Sequence, residues 1–179
     1  WDASGLGDLD GLDRRRCGLY LGSGEGALDF NSYQKSTIAS WQKELAKIDD
    51  GAWQAAAAEY IDGEYEVAQE PNEPITHIAR EFGLRGPAFN CLTACAASTQ
   101  AIGEACDILR RGDADVMISG GTHTMLHVLG ITGFNRLTAL STRSEDPEHS
   151  SRPFSRSRGG FVMGEGSGVI VLESLEHAQ

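Results

Sequence analysis

The most regular hydrophobic pattern in this sequence lies between Ile75 and Phe82, where Ile75, Ile78, Ala79 and Phe82 recur at i, i+3, i+4 and i+7. That spacing lines one face of an amphipathic helix, and Gly83 suits its C-terminal cap. Arg85-Gly86-Pro87 then turns the chain, and Ala88 to Leu92 reads as a short apolar strand. Thr93-Ala94-Cys95-Ala96-Ala97-Ser98 leads into a second helix that ends near Arg111-Gly112. In it Ile102, Ala105, Cys106 and Leu109 share one face, while Glu104, Asp107 and Arg111 share another. Val116 to Ser119 is the next buried strand, which Gly120-Gly121 is expected to close. Strand, helix and strand within about thirty residues make a βαβ unit, with parallel strands and a right-handed crossover expected.

The flanking segments are less regular. Trp1 to Arg16 is rich in Gly and Asp and reads as irregular. Cys17 to Leu21 is a short buried strand, followed by the glycine-rich Gly22-Ser23-Gly24-Glu25-Gly26. Gln34 to Tyr60 has helical composition with a break near Asp49-Asp50-Gly51. Asp62 to Glu73 is a polar, acidic connection that Pro71 and Pro74 are expected to keep non-helical. Phe161-Val162-Met163, a glycine-rich break from Gly164 to Gly168 and a strand from Val169 to Leu172 complete the pattern. No internal repeat or low-complexity tract interrupts it, and the fold class is α/β.

Composition narrows the function classes. With 179 residues, 40% of them apolar, the chain is long enough to bury a core as a single domain. Its formal charge of −11 disfavours nucleic acid and anionic membrane as partners. No apolar run approaches the roughly 20 residues of a membrane helix. The start carries no secretory signal and no initiator Met, which is expected of a piece cut from a longer frame in the cytoplasm. Charge is uneven: from Arg136 to Arg158, Arg136, Arg143, Arg152, Arg156 and Arg158 face only Glu145, Asp146 and Glu148. Such a stretch could dock an acidic partner, or could be a solvated loop with scattered charge. Four cysteines without a Cys-x-x-Cys pair and five dispersed histidines give neither a disulfide framework nor a zinc site, so no metal or cofactor is expected.

Cys95 is the residue on which chemistry could rest. It sits between a buried strand and the start of a helix, where unpaired N–H groups and the macrodipole favour an anion. A thiolate is the nucleophilic form of cysteine, and the same N–H groups could hold a developing oxyanion. Ala94, Ala96 and Ala97 leave room for a substrate carbonyl. Position alone favours a small buried residue where helix meets strand, as is expected also for Cys91 and Cys106. Gly22-Ser23-Gly24-Glu25-Gly26-Ala27 matches a loose dinucleotide fingerprint with Glu44 further on, yet no helix opens at once, and a tight turn at a close backbone approach suits it better. His123 and His127, four apart, lack a third group and read as ordinary surface or packed residues.

Taken in order, several segments resemble the β-ketoacyl-acyl carrier protein synthases, most closely the fatty-acid elongating type. These are Gly83 to Pro87, the nucleophile motif T-A-C-x-x-S at Thr93 to Ser98, Gly112 to Gly121, Ala139 to Arg143, Ser151 to Phe154 and Gly160 to Gly168. The resemblance is strong from about Ile75 to Gln179 and weaker at Gly22-Ser23-Gly24. It implies a thiolase-like fold, of which residues 1–179 form the N-terminal half with a mixed sheet packed between helices, and a homodimer. It also implies an acyl group passed from acyl carrier protein to Cys95 and condensed with a malonyl-loaded carrier, with loss of CO2. Phe134 matches a position that lines the family's acyl pocket.

The departures from the family are specific. Its usual Asp after R-P-F and before G-F-V are here Ser155 and Gly159, and its A-R-A-L-S has become Leu137 to Ser141. An arginine associated with carrier docking is thereby Thr138, for which Arg136 is the expected substitute, with Arg143 as a further candidate for carrier docking. The family's two catalytic histidines belong to H-G-T-G-T and G-H-x-x-G-A, which do not occur in these residues. Condensation on this chain alone is therefore not expected. The alternatives are a polyketide synthase ketosynthase and a non-catalytic, chain-length-factor-like subunit, against which the retained Cys95 counts.

Overall fold

The computed structural model describes every residue except Asp2, Ala3, Leu9, Asp10, Glu25 and Ala27, so part of the Gly22-to-Ala27 run lies outside the described residues. The chain divides into two compact units, one made of residues 1–26, 70–124 and 165–179, the other of residues 27–69 and 125–164.

The first unit is built on a four-stranded sheet. Its strands are β1 (Cys17–Ser23), β4 (Ala88–Cys91), β5 (Val116–His123) and β6 (Gly166–Glu173), ordered β4-β1-β5-β6. β1 runs parallel to both β4 and β5, and β6 closes the edge antiparallel to β5. The expected βαβ unit therefore forms around a strand: β4 and β5 lie on either side of β1. Alternation along β1 and β5 sends side chains to two faces. Leu19, Leu21, Val116 and Ile118 form one core cluster with Ile75 and Leu84, against which Ile78, Ala79 and Phe82 pack. Met117 joins Ala105, Ile108 and Ala114 in a second cluster, with Tyr20 packed against it. Helices α4 (Glu73–Phe82) and α5 (Ala97–Arg111) thus cover opposite faces, and burying each large apolar side chain contributes about 2 kcal/mol.

α4 ends as its periodicity predicts, at Gly83 in the left-handed region with φ +62°. α5 departs from expectation in its buried stripe. Ala97, Ala101, Ala105 and Ile108 are its buried residues, while Ile102, Cys106 and Leu109 are half-buried. The smallest side chains win because the helix lies very close to the sheet. Gly120-Gly121 does not close β5, which continues to His123 because β1 and β6 pair with it on both sides. β6 likewise begins inside the expected glycine break, at Gly166. The start of the chain is irregular as expected, with short 3-10 turns at Leu6–Asp8 and Arg14–Arg16.

The second unit contains α1 (Phe30–Ser40), the two-stranded hairpin β2 (Trp41–Gln42) and β3 (Lys47–Ile48), α2 (Asp50–Tyr60), α3 (Gly63–Ala68) and α6 (Val128–Arg136). The helical stretch breaks at Trp41, earlier than expected, and resumes where Asp49 caps α2 by accepting from the Ala52 N–H at 2.8 Å. α3 is a correction to the non-helical reading of 62–73. Asp62 caps it through the Glu64 and Tyr65 N–H groups, while Pro71 falls beyond its end and Pro74 in the first turn of α4, where prolines are tolerated. Among the described residues no helix is long and apolar enough to cross a membrane.

A bidentate ion pair ties the starts of β1 and β5. Arg16 Nε and Nη2 each lie 2.6 Å from the Asp115 carboxylate, and Nη2 also donates to the Gly112 carbonyl at 2.9 Å. The Arg16 hydrogen bond holds the Asp115 carboxyl below its usual range. A carboxylate lowered in the folded state stabilises above its unfolded pKa of about 3.9, and that contribution is lost as pH falls through the lower, folded value. Asp115→Asn is therefore expected to lower the urea midpoint near neutral pH, with the gap to the unsubstituted chain narrowing as pH falls below the unfolded carboxyl pKa of about 3.9. In the sheet, a Cβ on Gly22 would overlap the Ala97 carbonyl carbon and the Ser98 nitrogen, both backbone atoms. Gly22→Ala is expected to cost about 2–3 kcal/mol or more in urea unfolding, well beyond the same change at exposed Gly103.

Candidate active site

Glycines bring α5 down onto the ends of the parallel strands. Gly22 of β1 is in register with Cys91 of β4 and Gly121 of β5, and Gly121 with Gly168 of β6. Cys91, Gly22, Gly121 and Gly168 therefore make one row across the sheet. Gly22 leaves space for the backbone at Ala97-Ser98, and a Cβ on Gly121 would come within 2.8 Å of the Ser98 Cβ. The Cys91 thiol donates to the Ala97 carbonyl at 3.1 Å, pinning the first residue of the helix to its strand. Ser23 Oγ lies 2.7 Å from both the Pro71 carbonyl and Asn90 Oδ1, which ties the approach to α4 to the same sheet end.

Cys95 stands on this platform. After β4 the chain makes a 3-10 turn at Ala94–Ala96 and passes directly into α5. Ala94 adopts a left-handed φ of +51°, uncommon for a residue with a Cβ and a mark of a locally forced turn. The turn leaves Cys95 exposed, while Cys17 and Cys91 are buried. The reading of Cys95 as a small buried residue is thus set aside, and Cys91 is a core residue as expected. Cys106, expected in the core, is half-buried. Burial pushes the Cys17 thiol up. No side chain caps α5, because Ala96 holds the N-cap position, and the first-turn N–H groups have no side-chain acceptor. An exposed thiol beside uncapped helix amides can attack a carbonyl carbon while those amides stabilise the resulting oxyanion.

The other candidate residues fall in the second unit. Phe134, half-buried on α6, meets Phe161 edge-on with ring centroids 5.6 Å apart. Phe161 also joins two of the sequence motifs: its N–H donates to the Ala139 carbonyl, and its own carbonyl accepts from the Ser141 N–H, both at 3.0 Å. Arg136 is exposed in the last turn of α6. Arg143 is partly neutralised by Glu145 at 3.7 Å, and Arg152 by Asp146 at 3.1 Å. No carboxylate lies within ion-pair distance of Arg136, Arg156 or Arg158 among the described residues. The arginine count flagged this stretch; which charges stay uncompensated depends on side-chain pairing that spacing does not reveal.

The two histidines have separate structural places. His123 is exposed at the end of β5, and a Cβ on Gly24 would run into its ring. His127 caps α6, its Nδ1 accepting from the Gly130 N–H at 3.3 Å, which places the neutral ring's proton on Nε2. That Nε2 is buried without a hydrogen-bond partner among the described residues. Sequence reasoning missed this cap, since histidine is not among the preferred capping residues.

The family model described as beta-ketoacyl synthase, N-terminal domain, matches residues 1–178. The chloroplastic 3-oxoacyl-[acyl-carrier-protein] synthase I of Arabidopsis thaliana is 37% identical over 171 residues, 95% of this chain and 33% of that protein. The 3-oxoacyl-[acyl-carrier-protein] synthase 2 of Staphylococcus aureus is 48% identical over 109 residues, 61% of this chain and 27% of that protein. A solved complex of a type II PKS acyl-carrier protein with its ketosynthase bound to the hexaketide, AntDE:AntF, superposes with a TM-score of 0.75 at 30% identity, covering 96% of this chain and 40% of that one. The chain spans about a third or less of the length of these curated relatives. Its fold is thiolase-like, a mixed sheet between helices, and the chain belongs to the β-ketoacyl synthase family, whose N-terminal domain it carries.

Proposed function

We propose that this chain supplies the acyl-accepting part of a 3-oxoacyl-acyl carrier protein synthase, with Cys95 as the nucleophile. The observation that carries this reading is the exposed Cys95 thiol beside the uncapped start of α5. In the first half-reaction the Cys95 thiolate attacks the carbonyl of an acyl-carrier thioester, the helix amides hold the oxyanion, and the carrier thiol leaves. In the second, loss of CO2 from a malonyl-carrier generates a carbanion that attacks the Cys95 thioester. A carbon–carbon bond forms, the Cys95 thiolate is released, and the chain is two carbons longer. Histidines for decarboxylation would come from outside these residues, consistent with a domain that covers a third of its relatives. Phe134 is the proposed contact for the acyl chain, Arg136 and Arg143 for the carrier, and a homodimer the proposed assembly. Four free thiols favour a reducing compartment, and the cytoplasm is the proposed location.

A polyketide ketosynthase is the second reading, favoured by the likeness to the hexaketide-bound ketosynthase. Turnover with a malonyl-carrier separates the two: release after one condensation supports fatty-acid elongation, whereas products from several successive condensations support polyketide assembly.

Cys95 should be alkylated by iodoacetamide well before Cys17 and Cys91, read as peptide masses; equal labelling of all three would contradict its exposure. With the full-length protein, incubation with a labelled acyl-carrier should add one acyl mass to the Cys95 peptide, and Cys95→Ala should lose it entirely. Acylation that persists in Cys95→Ala would sink the assignment. Arg136→Ala should weaken carrier binding by roughly three- to tenfold at low salt, with a smaller effect at high salt. An unchanged affinity removes Arg136 from the docking surface.

A further inference from the structure

The second unit contains a surface depression of about 450 Å³ lined by Ser151, Arg152, Pro153, Arg158, Gly160 and Phe161. Its charged lining is Arg152 and Arg158, each held by neighbours in the same loop. Asp146 holds the Arg152 guanidinium at 3.1 Å, and the Arg152 Nε donates to the His149 carbonyl, so this side chain is anchored rather than free. Arg152 Nη1 reaches the Ser157 hydroxyl at 3.5 Å. The Ser157 N–H donates to the Ser155 hydroxyl at 3.2 Å, and the two hydroxyls lie 3.1 Å apart. Arg158 is exposed; its Nη1 donates to the Ser155 carbonyl at 2.9 Å, which fixes the guanidinium at the rim while leaving its other N–H groups open. Neither Arg156 nor Arg158 meets a carboxylate among the described residues, so the segment holds uncompensated positive charge.

The other side of the depression is apolar. Phe161, 48% exposed, and Pro153 present ring surface next to the arginines. The charges are held by their own loop, because Arg152, Ser155, Ser157 and Arg158 bond to one another.

We infer that this depression is a binding site for a small organic phosphate monoester, with the phosphate between Arg158 and Arg152, and the organic body against Phe161 and Pro153. Two guanidiniums lining one depression suit a tetrahedral oxyanion with several acceptor oxygens, whereas a carboxylate would be satisfied by one guanidinium fork. The flat apolar wall is what separates an ester from inorganic phosphate.

The test is equilibrium binding of phenyl phosphate to the full chain, followed by calorimetry or by phosphorus line broadening, with phenol and inorganic phosphate as comparisons. Phenyl phosphate should bind more tightly than either. Arg158→Ala should weaken it about tenfold or more, the loss of one charge-assisted hydrogen-bonding partner, and Ser157→Asp should weaken it at least as much. Arg110→Ala, which changes a charge on α5, should leave binding unchanged. Thermal melts of the variants establish that they fold, since both substituted side chains are exposed. Equal affinity in Arg158→Ala and the unsubstituted chain would overturn the site. Inorganic phosphate binding as well as phenyl phosphate would overturn the role of the apolar wall. A phosphoserine peptide that outcompetes phenyl phosphate would overturn the small-molecule assignment in favour of a protein-borne phosphate.

Discussion

The contact between the first turn of α5 and the glycine row of the sheet is the constraint from which the candidate site follows. Backbone meets backbone there: Gly22 accommodates Ala97-Ser98, Gly121 accommodates Ser98, and the Cys91 thiol ties the Ala97 carbonyl to β4. Close-packed interiors transmit any added volume, so this approach tolerates only hydrogen at the α-carbons facing the helix. The helix start is consequently held at the C-terminal ends of β1, β4 and β5, the end at which open α/β sheets present their reactive groups. With so little distance between β4 and α5, the connecting residues must turn sharply, and the left-handed Ala94 is where that turn is absorbed.

Everything chemical about Cys95 depends on that geometry. A looser helix would allow a relaxed connection, in which the thiol could rotate toward the core as Cys91 does. The forced turn instead projects it outward, and the alanine at the N-cap position leaves the first-turn amides without a side-chain acceptor. Stability is given up locally, since a capping side chain typically contributes about 1 kcal/mol. The Arg16–Asp115 pair and the two hydrophobic clusters on the faces of the sheet offset that loss elsewhere in the same unit. Strain and uncapped donors are kept together where a reacting group would use both.

In the second unit the motifs converge by a different route. Residues 139–141 and 160–161 bond through their backbones, and Phe161 then serves both the Phe134 ring and the arginine-lined depression. The segment between them carries its own ion pairs, which divides the five arginines of the stretch into neutralised and uncompensated ones.

Much of this was legible in the linear pattern. Repeats at i, i+3, i+4 and i+7 mark α4 because an apolar stripe of that period must face a core, and Gly83 marks its end because few other residues enter the left-handed region cheaply. The motif order around Cys95 disclosed the family, since the residues that make a strand, a tight turn and a helix start are local. What the tertiary structure alone decided is which face of α5 is buried, where β5 ends and which arginines remain unpaired. Small residues displaced Ile102 and Leu109 from the deepest stripe of α5, Gly120 and Gly121 continued a strand instead of ending it, and α3 formed just ahead of two prolines. Each of these rests on partners distant in the chain or on caps that compete with propensity, and neither is written in local periodicity.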